Sequence, residues 1–289
     1  MIRHFGYPCM NLTLGDTKSR TMRIENFSLQ AASNAAVGNI VDLQRMIEWN
    51  AENGVRFFRM PTEIFPYQDH PKLGYTLDRL PDYQTIRRML IKIGELANKN
   101  QIRITCHPGP FIIISGNDET IISKSLVHLE NKAELAALLK TPDFAINIHM
   151  GRSRTGGAIT AFARNFARLS PSARSLVTLE NDDKDNCWAV EDLMPVHEAT
   201  GVPIVFDLHH WRFCQRDTMR ASAELALSTW APNRIPKMHY SESLEGDNPR
   251  AHSKYLKNRV PQFFGRVYDV MLETKAKDLA LLDYLRRHG

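Results

Sequence analysis

The chain has 289 residues, of which 43% are hydrophobic and 24% charged, as in a soluble globular protein with a substantial core. Disordered and collagen-like chains are thereby excluded. Its densest aliphatic cluster, residues 112–114, is far too short to cross a bilayer, and its four widely spaced cysteines argue against a disulfide framework. Lysine and arginine number 37 against 32 acidic residues, which permits a polyanionic partner without requiring one. The N-terminal residues contain no apolar stretch, so we expect no secretory signal and a cytoplasmic location.

A short β-type run followed by a helical pattern recurs along the chain. The predicted strands, each with the helix that follows it, are 3–7 and 37–53, 55–59 and 83–98, 102–106 and 121–139, 144–149 and 158–169, 176–179 and 188–198, 203–207 and 220–229, 236–239 and a short piece around 253–257, and 267–271 and a C-terminal helix. Near-continuous apolar strands that alternate with helices indicate a parallel sheet buried on both faces.

Eight such units in a chain of this length predict a single-domain (β/α)8 TIM barrel over residues 1–289. A doubly wound sheet of six or seven units is the alternative. No GxGxxG or Walker sequence follows the first strand, which disfavours that alternative and predicts no nucleotide cofactor.

Chemically active side chains stand at the end of almost every predicted strand. These residues are Tyr7, His107, His149, Glu180, Asp207, His239 and Glu273. A single histidine at a strand end is more often structural, but here six strands in succession end in His, Glu or Asp. In a barrel these ends converge on the face that carries the catalytic residues. Buried carboxylates and imidazoles gathered there need a compensating charge, so the pattern predicts a metal cluster.

Two further histidines extend this set. His210 follows Asp207 by three residues, and His252 lies in the next loop. Together these are more ligands than one ion can use, which predicts two or three ions that share a bridging carboxylate, with Glu180 the central candidate. Mixed imidazole and carboxylate ligands suit zinc, manganese or iron. Such clusters support phosphodiester cleavage, but they also support sugar isomerisation, so the metals alone do not decide the reaction.

A lysine and several basic loops accompany the predicted ligands. Lys237 precedes His239 by two residues and therefore shares its face of the strand, where it could neutralise a phosphate, be chemically modified, or simply extend its ammonium group to water. Loops on the same face carry further basic residues, namely Lys18, Arg20, Arg23, Arg152, Arg154, Arg212, Arg216, Arg250 and Lys254. Cations around a cleft are typical of proteins that bind a phosphate backbone.

Several short motifs in this order resemble the ultraviolet damage endonuclease family, a TIM-barrel family related to the apurinic-site endonucleases. The motifs are GYPCMNLTL at residues 6–14, HPG at 107–109, LENDDK at 179–184, FDLHH at 206–210, KMHYS at 237–241, AHSKYL at 251–256 and VMLETKAKDLALL at 270–282. The resemblance covers nearly the whole chain.

The resemblance implies manganese-dependent incision of double-stranded DNA immediately 5′ to ultraviolet photoproducts. The implied metal ligands are His107, His149, Glu180, Asp207, His210, His239, His252 and Glu273. Lys237, which matches a lysine that is carboxylated in some members, and Glu180 are the implied catalytic residues. Tyr7 and Asn11 match family residues near the lesion, and His70 matches the histidine after the second strand.

The chain departs from the family pattern at two places. Pro110 and Phe111 stand where members commonly carry a glutamine and a tyrosine that probe the base stack, so we predict DNA contact at both positions, and the sequence does not decide the lesion preference. Phe111 keeps the ring that can wedge or stack, whereas Pro110 cannot donate the hydrogen bonds of glutamine. Residues 60–62 read Met-Pro-Thr, where a pair of serines is usual.

Three other functions fit parts of the pattern. An apurinic-site endonuclease without photoproduct specificity would have nearly the same barrel and metals. A sugar isomerase of the same fold would ignore DNA, and the basic loops argue against it. A metal-stabilised DNA-binding protein would not cleave its substrate, and the complete ligand set argues against that function. We expect a monomer that does not associate with membranes.

Overall fold

The computed structural model describes residues 1–17, 19–151, 154–184, 186–246, 248–263 and 265–288. The predicted DNA-binding residues Lys18 and Arg152 lie outside these ranges. The strands are β1 (Ile2–Pro8), β2 (Phe57–Arg59), β3 (Arg103–Thr105), β4 (Ile146–His149), β5 (Val177–Glu180), β6 (Ile204–Asp207), β7 (Lys237–Tyr240) and β8 (Tyr268–Leu272). The α-helices are α1 (Leu29–Glu52), α2 (Tyr83–Lys99), α3 (Glu119–Leu139), α4 (Ala158–Phe166), α5 (Pro171–Leu176), α6 (Val190–Thr200), α7 (Leu208–Trp211), α8 (Met219–Ser228) and α9 (Lys277–His288).

The eight strands form one parallel barrel. Their order is β3-β2-β1-β8-β7-β6-β5-β4, and a parallel bridge between Cys106 and Ile146 joins the two ends of this row. All strands therefore point the same way, and their C-terminal ends meet at one face. The predicted TIM barrel is confirmed, and the doubly wound alternative is wrong because the sheet has no open crevice between two halves.

Local capping explains where the helices depart from the predicted bounds. Helix α1 begins eight residues earlier than predicted because the Ser28 side chain accepts a hydrogen bond from the Ala31 amide and caps it. Ser170, with Pro171 in the first helical turn, starts the additional helix α5. The Asp207 side chain likewise accepts from the His210 amide and starts α7 directly after β6.

The short helix predicted around residues 253–257 is wrong, since this segment is irregular. The carboxylate of Glu242 accepts hydrogen bonds from the backbone amides of Lys257 and Asn258. The carbonyl of Glu242 accepts from Ser253, and the carbonyl of Ser253 accepts from Lys275. These long-range bonds satisfy the backbone groups that a helix would have paired internally.

An ionic cluster closes the N-terminal end of the barrel. Arg3 makes a bidentate contact with Asp269 at 2.8 and 2.6 Å, and Arg103 donates to the same carboxylate at 2.9 Å. Asp269 is fully buried, so its charge needs both partners. The predicted ligands lie at the opposite end of the barrel, where the C-terminal ends of the strands meet. None of the helices in the described ranges is both long and apolar enough to span a bilayer.

Candidate metal centre

The predicted ligands are placed by the ends of neighbouring strands. His149, Glu180 and Asp207 are the last residues of β4, β5 and β6, and the parallel register pairs His149 with Glu180 and Asp207 with His239. Glu273 follows β8 directly. His107 lies two residues after β3. The structure thus brings these predicted ligands together at the C-terminal face.

Glu180 occupies the centre of the cluster. Its Oε1 lies 3.1 Å from Nδ1 of His239 and 3.4 Å from Nδ1 of His210, while its Oε2 lies 3.6 Å from Nδ1 of His107. Glu180 is fully buried. Burial alone raises the pKa of its carboxyl, but the neighbouring imidazoles of His239, His107 and His149 together outweigh burial and hold that pKa well below the ordinary value. A buried carboxylate faced by three imidazoles has the surroundings of a bridging ligand.

Three groups of side chains have the donor atoms that a metal ion requires. In each group, one ligand atom of every member lies within 4.8 Å of the others. The groups are His107 with His149 and Glu180, Glu180 with Asp207 and His239, and His107 with His239 and Glu273. Mixed nitrogen and oxygen donors of this kind suit divalent transition ions.

Unpaired atoms in the second group provide the test of this fit. Oε1 of Glu180, Oδ2 of Asp207 and Nδ1 of His239 are buried and make no hydrogen bond of acceptable geometry among the described residues, although the imidazole nitrogen lies 3.1 and 3.8 Å from the two oxygens. Buried polar atoms without a hydrogen bond are costly, and the His239 imidazole compensates the two carboxylates only when it is protonated. A cation between them would satisfy all three, so the residues fit a metal ion.

His210 and His252 lie outside these three groups within the described part of the chain. Nδ1 of His210 is 2.8 Å from the carbonyl of Asn181 and 3.4 Å from Oε1 of Glu180, which leaves Nε2 as the ring nitrogen available to an ion. The ring of His252 packs on His209, with 4.9 Å between the ring centroids. Metal binding by both residues stays a prediction.

Lys237 is buried inside the barrel below the cluster. Its side chain is 1% exposed, and Nζ lies 3.4 Å from Nε2 of His239. The ammonium group therefore does not reach water, which excludes the third role considered for it. Burial lowers the pKa of Lys237 to about 7, so the neutral amine is accessible near neutral pH.

Tyr7 and Asn11 are buried in this conformation. The Tyr7 hydroxyl donates to the side chain of Asn50 at 2.8 Å and accepts from that of Asn11 at 2.9 Å. The Asn11 side chain also accepts from the backbone amide of Leu14. The two residues brace the loop after β1 against α1, and their contact with DNA stays a prediction.

The other predicted DNA contacts differ in exposure. Phe111 is 81% exposed on the loop after β3. Pro110 lines a cavity of about 420 Å³, together with His149 and His210. His70 lines a separate cavity of about 650 Å³, where its Nδ1 accepts from the backbone amides of residues 72 and 73. The structure therefore places Pro110 beside the metal cluster and His70 away from it.

Several of the basic loop residues are paired with acidic groups. Arg20 contacts Asp42, and Arg250 lies 3.6 Å from Asp183. Arg154 lies 2.6 Å and Arg216 3.3 Å from two oxygens of one carboxylate, that of residue 192. These pairs reduce the positive charge that the loops offer to a polyanion, so the basic loops support DNA binding less strongly than their number suggests.

Three residues of the site escaped sequence reasoning. Arg59, the last residue of β2, contacts Glu273; Asn147 donates to Glu180; and Asp182 lies 2.9 Å from His149. Asn147 precedes His149 by two residues, so alternation along the strand was a signal for its orientation. Asp182 belongs to the LENDD motif. Arg59 also ends a strand, but an arginine is not a metal ligand, so its position in the sequence did not indicate a place in the site.

Known proteins resemble this chain over its whole length. The UV-damage endonuclease of Schizosaccharomyces pombe is 31% identical over 98% of this chain, which spans only half of that protein. The crystal structure of SacUVDE superposes with a TM-score of 0.87 at 26% identity and covers 98% of this chain and 97% of its own. Endonuclease IV from Thermus thermophilus, at 14% identity and a TM-score of 0.60 over 99% and 97% of the two chains, shares the fold.

A comparison with models of protein families also relates the chain to UV endonucleases. The model of the family described as UV-endonuclease UvdE matches residues 3–288, which include every predicted ligand. Because the match extends through the whole cluster rather than the barrel scaffold alone, the chain belongs to the UV-endonuclease UvdE family.

Proposed function

We propose that the protein is a metal-dependent DNA repair endonuclease that incises the backbone immediately 5′ to ultraviolet photoproducts. The observation that carries this proposal is the group of buried ligand atoms on Glu180, Asp207 and His239, which make no hydrogen bond of acceptable geometry among the described residues and which a cation between them would satisfy. Membership of the family and the similarity to SacUVDE support DNA as the substrate.

The proposed cofactor is manganese, bound by the ligands that the sequence predicted. Glu180 belongs to two of the three groups and is therefore the proposed bridge between two ions. Bound divalent ions supply Lewis acidity, since they lower the pKa of water and stabilise charge on a phosphate. Manganese is preferred over zinc and iron because of the family resemblance, and the donor set agrees with all three.

The chain's own residues contribute binding and proton handling. We assign Phe111 to the base stack, because its exposed ring can fill the gap left by an extruded nucleotide. Extrusion costs less for a lesion that is already poorly stacked. We assign Lys237 to holding a proton at Nζ next to His239, a role for which a pKa of about 7 is suitable.

Abasic sites are the second proposed substrate. Pro110 lies beside His149 and cannot donate the hydrogen bonds of an amide side chain, so the pocket offers less discrimination between a damaged base and a missing one. An enzyme that depends on Phe111 alone to sense a weakened stack would accept both lesions.

Nicking of supercoiled plasmid tests the function. Ultraviolet-irradiated, depurinated and untouched plasmids are incubated in parallel with manganese or with EDTA, using the full chain and the Glu180→Gln variant. We expect manganese-dependent nicking that is strongest on irradiated plasmid and absent with Glu180→Gln. Nicking confined to depurinated plasmid would make the protein an abasic-site endonuclease, and no nicking of any plasmid would refute the endonuclease proposal.

A further inference from the structure

The loop that carries Phe111 is anchored at its base although its tip is exposed. It comprises residues 106–118, between β3 and α3. Phe111 projects from the loop, whereas the next residue, Ile112, and also Ile114 are buried. The chain therefore returns to the core directly after the exposed ring, which restricts the positions that the ring can take.

Two buried side chains of outer helices bind the backbone of this loop. Ser125 of α3 accepts a hydrogen bond from the amide of Ile113 at 3.0 Å. Asn165 of α4 donates through Nδ2 to the carbonyls of Ile114 at 2.8 Å and Gly116 at 3.2 Å. Both side chains are only 1% exposed. The segment that follows Phe111 is thus attached to two helices of the barrel scaffold.

The two side chains are unfavourable choices for the helices in which they lie. Serine and asparagine are weaker helix formers than alanine. A buried polar side chain also costs free energy unless it is hydrogen-bonded. The bonds from Ser125 and Asn165 to the loop offset both costs, and they satisfy an amide and two carbonyls of the loop backbone. These two polar residues therefore serve the loop rather than their own helices.

An anchored loop suits the role proposed for Phe111. A ring that enters the base stack loses conformational freedom, and a loop that is already held in place loses less. A ring with a fixed orientation also separates damaged from undamaged DNA, because it enters where stacking is weak and is excluded where stacking is intact. Bracing of the loop thus bears on lesion recognition as well as on folding.

We propose that Ser125 and Asn165 are positioning residues for lesion recognition, which hold the 106–118 loop so that Phe111 meets the base stack in a fixed orientation. This inference rests on the proposed function, in which Phe111 enters the stack. It adds two buried residues that act on DNA only through the Phe111 ring.

A double-mutant cycle tests whether Asn165 acts through Phe111. Dissociation constants of the full chain for an irradiated duplex and for the same duplex without damage are measured by fluorescence anisotropy in EDTA, which prevents cleavage. We expect Asn165→Ala to weaken binding of the irradiated duplex by about 2- to 12-fold, the cost of ordering one side chain, and to leave binding of the undamaged duplex unchanged. In the Phe111→Ala background the same substitution should have no effect, because the ring that it positions is gone.

Ser125→Ala is the second variant, and it replaces Asn165→Ala if the latter does not fold by circular dichroism. Hydrogen exchange of residues 106–118, followed by mass spectrometry, reports on the loop directly. We expect faster exchange in both variants. Manganese affinity should stay unchanged, because the predicted ligand His107 lies at the other end of the loop, where its carbonyl accepts from the Thr62 hydroxyl at 2.8 Å.

A matched control is available at the other end of the barrel. The Thr229 hydroxyl is buried and accepts a hydrogen bond from the amide of Ile204, the first residue of β6, at 2.8 Å. Thr229→Val removes this buried hydroxyl far from the loop. It should leave both dissociation constants and the exchange of residues 106–118 unchanged, with or without the Phe111 ring.

The outcomes separate this inference from the proposed function. An equal loss of affinity with and without the Phe111 ring would overturn the inference, as would wild-type affinity or unchanged loop exchange in both variants. In each of these cases, nicking of irradiated plasmid by the wild type would leave the endonuclease proposal standing. A Phe111→Ala variant that binds irradiated duplex as tightly as the wild type would refute the role of the ring and this inference together.

Discussion

Nδ1 of His149 lies 2.9 Å from a carboxylate oxygen of Asp182. This contact engages one nitrogen of the imidazole ring and leaves Nε2 as the nitrogen available to an ion in the group that His149 forms with Glu180. The backbone of Asp182 is itself held, because its amide donates to the carbonyl of Trp188 at 2.8 Å. The LENDD motif thus supplies the bridging carboxylate Glu180 and also the residue that orients a neighbouring ligand.

The Asp182→Ala variant should weaken manganese binding by about 10- to 100-fold, since outer partners of metal-bound histidines have effects of this size. Isothermal titration of the metal-free protein measures the change. Asp183→Ala is the matched control, because Asp183 faces Arg250 rather than a predicted ligand. Equal affinities for the Asp182→Ala variant and the wild type would show that Asp182 does not orient His149.

Phe111 allows lesion recognition to be separated from folding. Because the ring is 81% exposed, Phe111→Ala should leave the melting temperature unchanged. Loss of one stacking ring should reduce affinity for irradiated duplex by about 5- to 150-fold, which corresponds to about 1–3 kcal/mol. Fluorescence anisotropy with an irradiated oligonucleotide measures binding. Phe111→Tyr keeps the ring and should bind like the wild type, and an Ala variant that binds as tightly would exclude the wedge.

Gly94 permits a close approach of the helices α2 and α3. A Cβ atom at this position of α2 would lie 1.7 Å from the carbonyl oxygen of Leu139 at the end of α3. Gly94→Ala should therefore destabilise the fold by about 1–3 kcal/mol, despite the better helix propensity of alanine. Urea unfolding measures the difference. Gly116→Ala, where a Cβ would meet nothing within 4 Å, should be nearly neutral; equal stabilities for both variants would contradict the close packing.

The pair formed by Asp69 and His128 should make stability depend on pH in the acid range. Nδ1 of His128 lies 3.0 Å from the Asp69 carboxylate, and although burial raises the pKa of Asp69, the hydrogen bond and charge of His128 lower it below the ordinary value. The unfolded chain therefore binds this proton more readily than the folded one. The resulting stabilisation is complete above the unfolded pKa of about 3.9 and is lost as the pH falls through the lower folded value.

The stability difference between the wild type and Asp69→Asn should accordingly be larger at pH 6 than at pH 3. Urea unfolding of the metal-free proteins at the two pH values measures it. In a His128→Gln background the dependence on pH should shrink, because the pKa of Asp69 returns toward its ordinary value. A difference that does not change between pH 6 and pH 3 would contradict the ionic character of the pair.

The sequence predicted the barrel and the gathering of ligands because both follow from local patterns. Strand ends converge in any parallel barrel, so residues such as Glu180 and Asp207 could be grouped without coordinates. Burial of Tyr7 could not be predicted, since it depends on a hydrogen bond to Asn50, 43 residues away in α1. Arg59 was missed for a related reason: its ion pair with Glu273 spans 214 residues.

The packing of His252 also depends on tertiary structure. Two adjacent histidines, His209 and His210, lie in the four-residue helix α7. Their positions in the sequence do not show which of them contacts the loop that carries His252. The structure pairs His252 with His209, whose Nε2 lies 3.0 Å from the carbonyl of Arg250 in the same loop. The loop conformation, rather than the motif, determines this contact.

The most direct test of the central claim maps the cleavage site on a defined substrate. An end-labelled duplex with one cyclobutane dimer is incubated with the protein and manganese, and the products are separated on a denaturing gel beside a sequencing ladder. We predict a single cut immediately 5′ to the dimer that leaves a 3′ hydroxyl, is abolished by EDTA and is absent with Glu180→Gln. A cut elsewhere, cleavage that persists in EDTA, or equal cleavage by wild type and Glu180→Gln with manganese would contradict a metal-dependent photoproduct endonuclease built around Glu180.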